Sequence, residues 1–156
     1  MIDKLLDQTG RKLVMLLQEN GRFSFSELGR RIGLSTPAVA ERVRRLEESG
    51  VISGYHAVVN PHKLGLALTA FIRLHTTSDR YKRLLTLAEQ NPAIVECHHV
   101  TGEEALLLKA LVPSMAELDT LLAELGKYGR TTTSIVISSP VQKRVLVTAV
   151  DDHTTP

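Results

Sequence analysis

Residues 24–48 read S-F-S-E-L-G-R-R-I-G-L-S-T-P-A-V-A-E-R-V-R-R-L-E-E, and this run limits the fold more than any other part of the chain. It holds two helix starts with a glycine break between them. Ser24 and Glu27 have the spacing of a capping box, in which each side chain satisfies the other's main-chain N–H. Phe23 and Leu28 occupy the staple positions around it. Leu28 and Ile32 are four apart and face one side, and Gly29 leaves room for a crossing helix. Gly33 follows the last apolar residue, where a left-handed conformation ends a helix at least cost. Ser35 caps the next helix, and Pro37 in its first turn gives up no needed N–H. Val39, Val43 and Leu46 recur at i, i+4 and i+7 and form a buried stripe. Glu41, Arg44, Arg45 and Glu48 fall away from that stripe, Arg42 flanks it, and Pro37 and Ala38 lie at its exposed N-terminal end. The pattern is that of a helix-turn-helix whose second helix is placed to enter a DNA major groove.

The chain has 156 residues and 43% hydrophobic content, enough for one domain or two small ones with modest cores. No apolar run reaches the 18 or so residues of a membrane helix, and the start M-I-D-K-L-L-D lacks the build of a signal peptide. The single cysteine, Cys97, excludes an internal disulfide and suits a reducing cytoplasm. Net charge is only +2. Its distribution says more: residues 1–60 carry nine Lys/Arg against seven Asp/Glu, and residues 61–156 carry ten against ten. The surplus lies with the helix-turn-helix, as a nucleic-acid footprint requires. Its small size implies a modest phosphate contribution per subunit, so tight binding needs several subunits on one DNA.

The periodicity predicts a first helix from Gln8 to Glu19, capped by Asp7 and stopped at Asn20-Gly21. Gly10 in its first turn costs ~1 kcal/mol against alanine. V-I-S-G-Y-H-A-V-V-N (51–60) is strand-like, and N-P-H-K-L-G is a linker. The expected organisation is a helix-turn-helix domain over 1–60, a linker over 61–65 and a second domain over 66–156. That domain reads as strand 66–76, helix 80–91, strand 94–100, a turn at 101–104, strand 105–112, a helix after Ser114 and strand 132–138. The order βαββαβ is ferredoxin-like, which makes the chain α+β. Strands 66–76 and 105–112 are apolar on almost every position. A sheet with helices on one face should present a polar second face, so a second copy of the sheet is expected to cover it.

On these features the chain resembles the Lrp/AsnC (feast/famine) family of transcription regulators. The carriers are L-D-Q-T-G-R-K-L, N-G-R-F-S-F-S-E-L, G-L-S-T-P-A-V-A-E-R-V-R-R-L-E-E-S-G-V-I-S-G-Y, the N-P-H-K-L-G linker, H-H-V-T-G and T-T-T-S-I-V-I-S-S-P-V. The resemblance implies a winged helix-turn-helix and a C-terminal RAM domain that forms dimers, often octamers, and in many members binds an amino acid between dimers. Many responsive members read G-x-x-D-Y after H-V-T-G. Here the matching positions are Ala105 and Leu106, whose side chains bond neither an ammonium nor a carboxylate. Glu103 and Glu104 could substitute for the acid. The departure brings the chain closer to members that bend or wrap DNA.

The expected partners are double-stranded DNA, further copies of the chain and an amino-acid effector, with no membrane and no cofactor. Ser35, Thr36, Pro37, Ala38 and Glu41 are expected at base edges, and Arg42, Arg44 and Arg45 at phosphates. Thr101, Gly102, Glu103, Glu104, Thr133 and Ser134 are the candidate effector residues. Cys97 and His99 share one strand face opposite His98, which is too few ligands for a zinc site, and packing is the simpler role. The enzymatic alternative is a sirohaem decarboxylase on the same fold. It leaves a capped, basic helix-turn-helix without a use.

Overall fold

The computed structural model describes residues 5–102, 106–142 and 144–146. Its elements are helices α1 (Gln8–Glu19), α2 (Phe25–Ile32) and α3 (Thr36–Glu48), a 3-10 turn (Pro61–Leu64), strand β1 (Leu68–Thr76), helix α4 (Ser78–Gln90), strands β2 (Ile94–His99) and β3 (Leu106–Val112), helix α5 (Met115–Gly126) and strand β4 (Gly129–Ile135). Among the described residues no helix is long and apolar enough to cross a membrane. The chain divides into two compact units. One is formed by the described residues up to Ala57 together with those from Val141 on, the other by Val58–Pro140.

The first unit follows its local signals closely. The Asp7 carboxylate accepts from Gly10 N at 2.7 Å, Ser24 Oγ from Glu27 N at 3.1 Å and Ser35 Oγ from Ala38 N at 3.4 Å, so all three helices start where the caps stand. Gly33 ends α2 at φ 75°, in the left-handed region. The capping box is only half made, because the Glu27 carboxylate accepts from Arg31 Nη2 at 2.8 Å. Leu13, Leu28, Val39, Val43 and Leu46 form the core. Gly10 corrects the expectation of a weak spot: a Cβ there would lie 1.8 Å from the Leu5 carbonyl oxygen, so the close approach of that turn requires glycine.

Residues 51–60 form no strand in this chain. Strand propensity needs a neighbouring ladder, and here none is supplied, so the wing of the expected winged domain is absent from the described residues. Beyond Pro140 the described chain groups with the first unit, where the Gln18 carboxamide donates to Leu146 O (3.0 Å) and accepts from Leu146 N (2.8 Å).

The second unit is an antiparallel sheet in the order β2-β3-β1-β4 with α4 and α5 on one face, the ferredoxin-like arrangement. Ala70, Ile72, Leu74, Leu106, Leu108, Ala110 and Val112 meet Leu84, Ala88, Leu118, Leu121 and Leu125 in its core. Met115, the first residue of α5, is 57% exposed despite its apolar side chain. Helix α4 starts two residues before Arg80 because Thr77 takes the extended N-cap position. Strand β4 runs earlier than 132–138, since its ladder with the nine-residue β1 pairs Gly129 with Thr76 and Ile135 with Ala70.

The sheet's other face corrects the expectation of a twice-apolar sheet. It carries Phe71, Leu107 and Leu111, but also Arg73, His75, Lys109, Glu96 and His98. Lys109 Nζ donates to Glu96 Oε1 at 2.7 Å across β2 and β3. The face is mixed rather than uniformly apolar, because every second residue of each strand turns to the helix side and the polar exceptions, Arg73, His75 and Lys109, all fall on this one.

Candidate nucleic-acid interface

Helix α3 buries Val39, Val43 and Leu46 and turns its remaining surface to solvent. Ser35, Thr36 and Pro37 are exposed at its N-terminal end, and Ala38 is half-buried behind them. The first turn thus offers short side chains and helix-terminal N–H groups at an accessible edge.

Further along, Glu41 is held by two arginines. Its Oε1 accepts from Arg44 Nη2 and Arg45 Nε, both at 2.8 Å, and its Oε2 accepts from Arg44 Nε at 2.9 Å. Arg44 Nη1 donates to Glu48 Oε1. Hydrogen bonds from Arg44 and then Arg45 hold the Glu41 carboxyl down to about 2, and Glu41 in turn raises Arg44. Arg44 and Arg45 remain more than half exposed.

Arg42 is placed differently from its neighbours. Nη1 and Nη2 donate to Asp7 Oδ1 and Oδ2, both at 2.9 Å, in a bidentate pair. The side chain expected at a phosphate is therefore turned onto the cap of α1. This pair spans 35 positions and had no sequence signal. Neither did Tyr55, whose hydroxyl donates to Glu47 Oε1 at 2.9 Å while its ring lies 3.1 Å from the Cβ position of Gly21. Burial, with Glu47 second, pushes the Tyr55 phenol up to about 12. Tyr55 ties the segment after α3 back over the turn that follows α1.

The described candidate effector residues are not brought together within one subunit. Thr101 and Gly102 form an exposed bend after β2, with Gly102 at φ 114°. Glu103 and Glu104 lie outside the described residues. Thr133 pairs with Ile72 and points to the helix side, while Ser134 pairs with Phe71 on the opposite face. Strand β1 stands between β4 and the β2–β3 pair. Cys97 is exposed on the edge strand rather than packed in a core, and burial with Glu89 raises its thiol. His99 Nδ1 lies 3.4 Å from the Tyr81 hydroxyl. Among the described residues no three His, Cys, Asp or Glu side chains group as a metal site.

A capped tri-helical unit with an open recognition helix, joined to a ferredoxin-like domain, defines a helix-turn-helix regulator. The family models agree. Residues 6–47 match the AsnC-type helix-turn-helix domain, and residues 69–146 match the Lrp/AsnC ligand binding domain. The leucine-responsive regulatory protein of Escherichia coli K12 is 38% identical over 151 residues, 92% of each chain. An uncharacterized HTH-type transcriptional regulator of Bacillus subtilis, YezC, is 37% identical over 134 residues, covering 86% of this chain and 95% of that one. Among solved structures, LrpC of Bacillus subtilis superposes with a TM-score of 0.84 at 31% identity, over 88% of this chain and 99% of its own. A Neisseria meningitidis transcriptional regulator in complex with L-methionine gives 0.81 at 32% identity, over 90% and 96%. The chain belongs to the Lrp/AsnC family of transcription regulators, and the enzymatic alternative has no support among these relatives.

Proposed function

We propose that the chain is a homo-oligomeric, sequence-preferring DNA-binding regulator that reads the major groove with α3. The observation that carries this is the division of α3 itself: Val39, Val43 and Leu46 are sealed in the core while Ser35, Thr36 and Pro37 stand exposed at a capped N-terminus. Ser35, Thr36, Pro37, Ala38 and Glu41 face or approach base edges, and Arg44 and Arg45 hold phosphates. Arg42 serves at one remove, fixing α3 against the start of α1 through Asp7.

Dimers form through the second unit and assemble further, to an octamer, so that several modest interfaces act on one DNA. The L-methionine complex of the Neisseria relative supports an amino-acid effector, and the residues that would meet it between subunits are Thr101 and Gly102. The test of the DNA interface is the salt dependence of binding. Arg45→Ala should weaken binding to all sequences and lower the slope of log K against log salt by about one unit. Substitution at Ala38 should instead change which sequences bind, read by selection from a random DNA pool. An unchanged slope in Arg45→Ala would remove the phosphate role.

A further inference from the structure

The arginines that suit DNA phosphates are already occupied in the free chain. Arg44 and Arg45 between them give three hydrogen bonds to one carboxylate, that of Glu41, and Arg44 gives another to Glu48. A guanidinium meets a carboxylate and a phosphate with the same fork of N–H donors. Each of these groups is 44–59% exposed, so a phosphate reaches the arginines without unfolding the helix. The carboxylates cancel the charge of both arginines along the exposed face of α3, which keeps the field there near neutral.

We propose that Glu41 is a specificity-determining clamp: it occupies Arg44 and Arg45 in the free protein, must release them to DNA phosphates, and so suppresses binding to random sequence. This rests on the reading that the exposed face of α3 meets DNA. Breaking the clamp opposes binding on every sequence alike. What returns the lost bonds depends on sequence. Once released, the Glu41 carboxylate is an acceptor at the groove, and a cytosine N4 amine is the base-edge donor that suits it. Where no such base is presented, a bare carboxylate is left among phosphates and the complex is repelled. The clamp thus widens the gap between specific and random DNA, and lowers the absolute affinity for both. Held at about 2 by its two arginines, Glu41 stays ionised throughout the physiological range, so the clamp needs no protonation step to open or close.

The experiment compares the full chain with E41Q, R45A and E47Q on two short duplexes. One is recovered by selection from a random pool, the other is its scramble of equal composition. Anisotropy titrations are run across a salt series. Glutamine at 41 keeps the helix and removes the charge. Glu47 bonds Tyr55 and no arginine, so E47Q makes the same charge change without touching the clamp. E41Q is expected to bind the scrambled duplex roughly five- to tenfold tighter near ~0.1 M salt, with a steeper salt slope, because no carboxylate then competes for Arg44 and Arg45 or stands bare among the phosphates. The ratio of selected to scrambled affinity should fall, and E47Q should change little. Equal tightening by E41Q and E47Q would reduce the effect to net charge and overturn the clamp. So would unchanged binding of the scramble by E41Q while R45A flattens the slope, a result that leaves the interface standing. An R45A slope equal to wild type would remove the interface itself, and the clamp with it.

Discussion

Asp7 does two jobs with one carboxylate. It caps α1 through Gly10 N and takes both Nη atoms of Arg42. The Arg42 guanidinium, with the Gly10 N–H second, holds the Asp7 carboxyl below its ordinary 3.8. A depressed folded value means a stabilising contribution that is present above the unfolded value and lost as pH falls through the folded one. The window is therefore acidic, below about pH 4. Asp7 is 44% exposed and Arg42 33%, so solvent screening limits the ion pair to about 1 kcal/mol at most. Asp7→Asn keeps a capping oxygen and removes the charge. It should lower the melting temperature slightly at neutral pH and lose that difference in acid, followed by circular dichroism. An equal difference at all pH values would show that the cap, not the pair, carries the effect. Residues such as Asp7, Ser24 and Ser35 were legible as caps because a cap is set by spacing along the chain. Asp7–Arg42 was not, since packing joins it across 35 positions, and Tyr55–Glu47 was not, since the irregular chain after α3 has no period that aims Tyr55 back at the helix.

Elements were legible where the chain supplies its own partners. The three helices of the first unit and both helices of the second fall within two residues of their periodic patterns, because their hydrogen bonds close locally. Strand ends and the 51–60 segment were harder, since a strand's extent is decided by its neighbour. Leu107 and Leu108 illustrate the same point for sheet faces. Both looked equally apolar, yet Leu108 is fully buried toward α4 and α5, while Leu107 lies half-buried on the other face opposite Arg73. Leu108→Glu should unfold the second unit, because it places an unpaired charge in the core. Leu107→Glu faces Arg73 across the strands, so the unit should stay folded. If that face joins two copies of the chain, Leu107→Glu should also yield monomers by sedimentation with a native circular dichroism spectrum. A native-size assembly from Leu107→Glu would move the interface elsewhere.

What one subunit keeps apart can meet only in an assembly, and the candidate effector residues are the sharpest case. Thr133 and Ser134 leave β4 on opposite faces, and β1 separates that strand from the bend at Thr101 and Gly102. A site using both regions therefore has to form between subunits. The position that the family resemblance matches to the tyrosine of G-x-x-D-Y is Leu106, 1% exposed and paired with Leu74 inside the core. Its side chain offers a ligand neither a hydrogen bond nor contact. Ala105, which the same resemblance matches to the aspartate, lies outside the described residues, but a methyl group bonds no ammonium. Each missing charge-assisted bond is worth about 1.5–3 kcal/mol. At about 1.4 kcal/mol per factor of ten, one such loss weakens binding roughly 10- to 150-fold. Calorimetry of the full chain with each of the twenty amino acids should therefore give dissociation constants in the millimolar range or no heat, leucine and asparagine included. Micromolar binding of any one would mean that Glu103 and Glu104 rebuild the acidic side of the site, and Glu104→Gln should then abolish it.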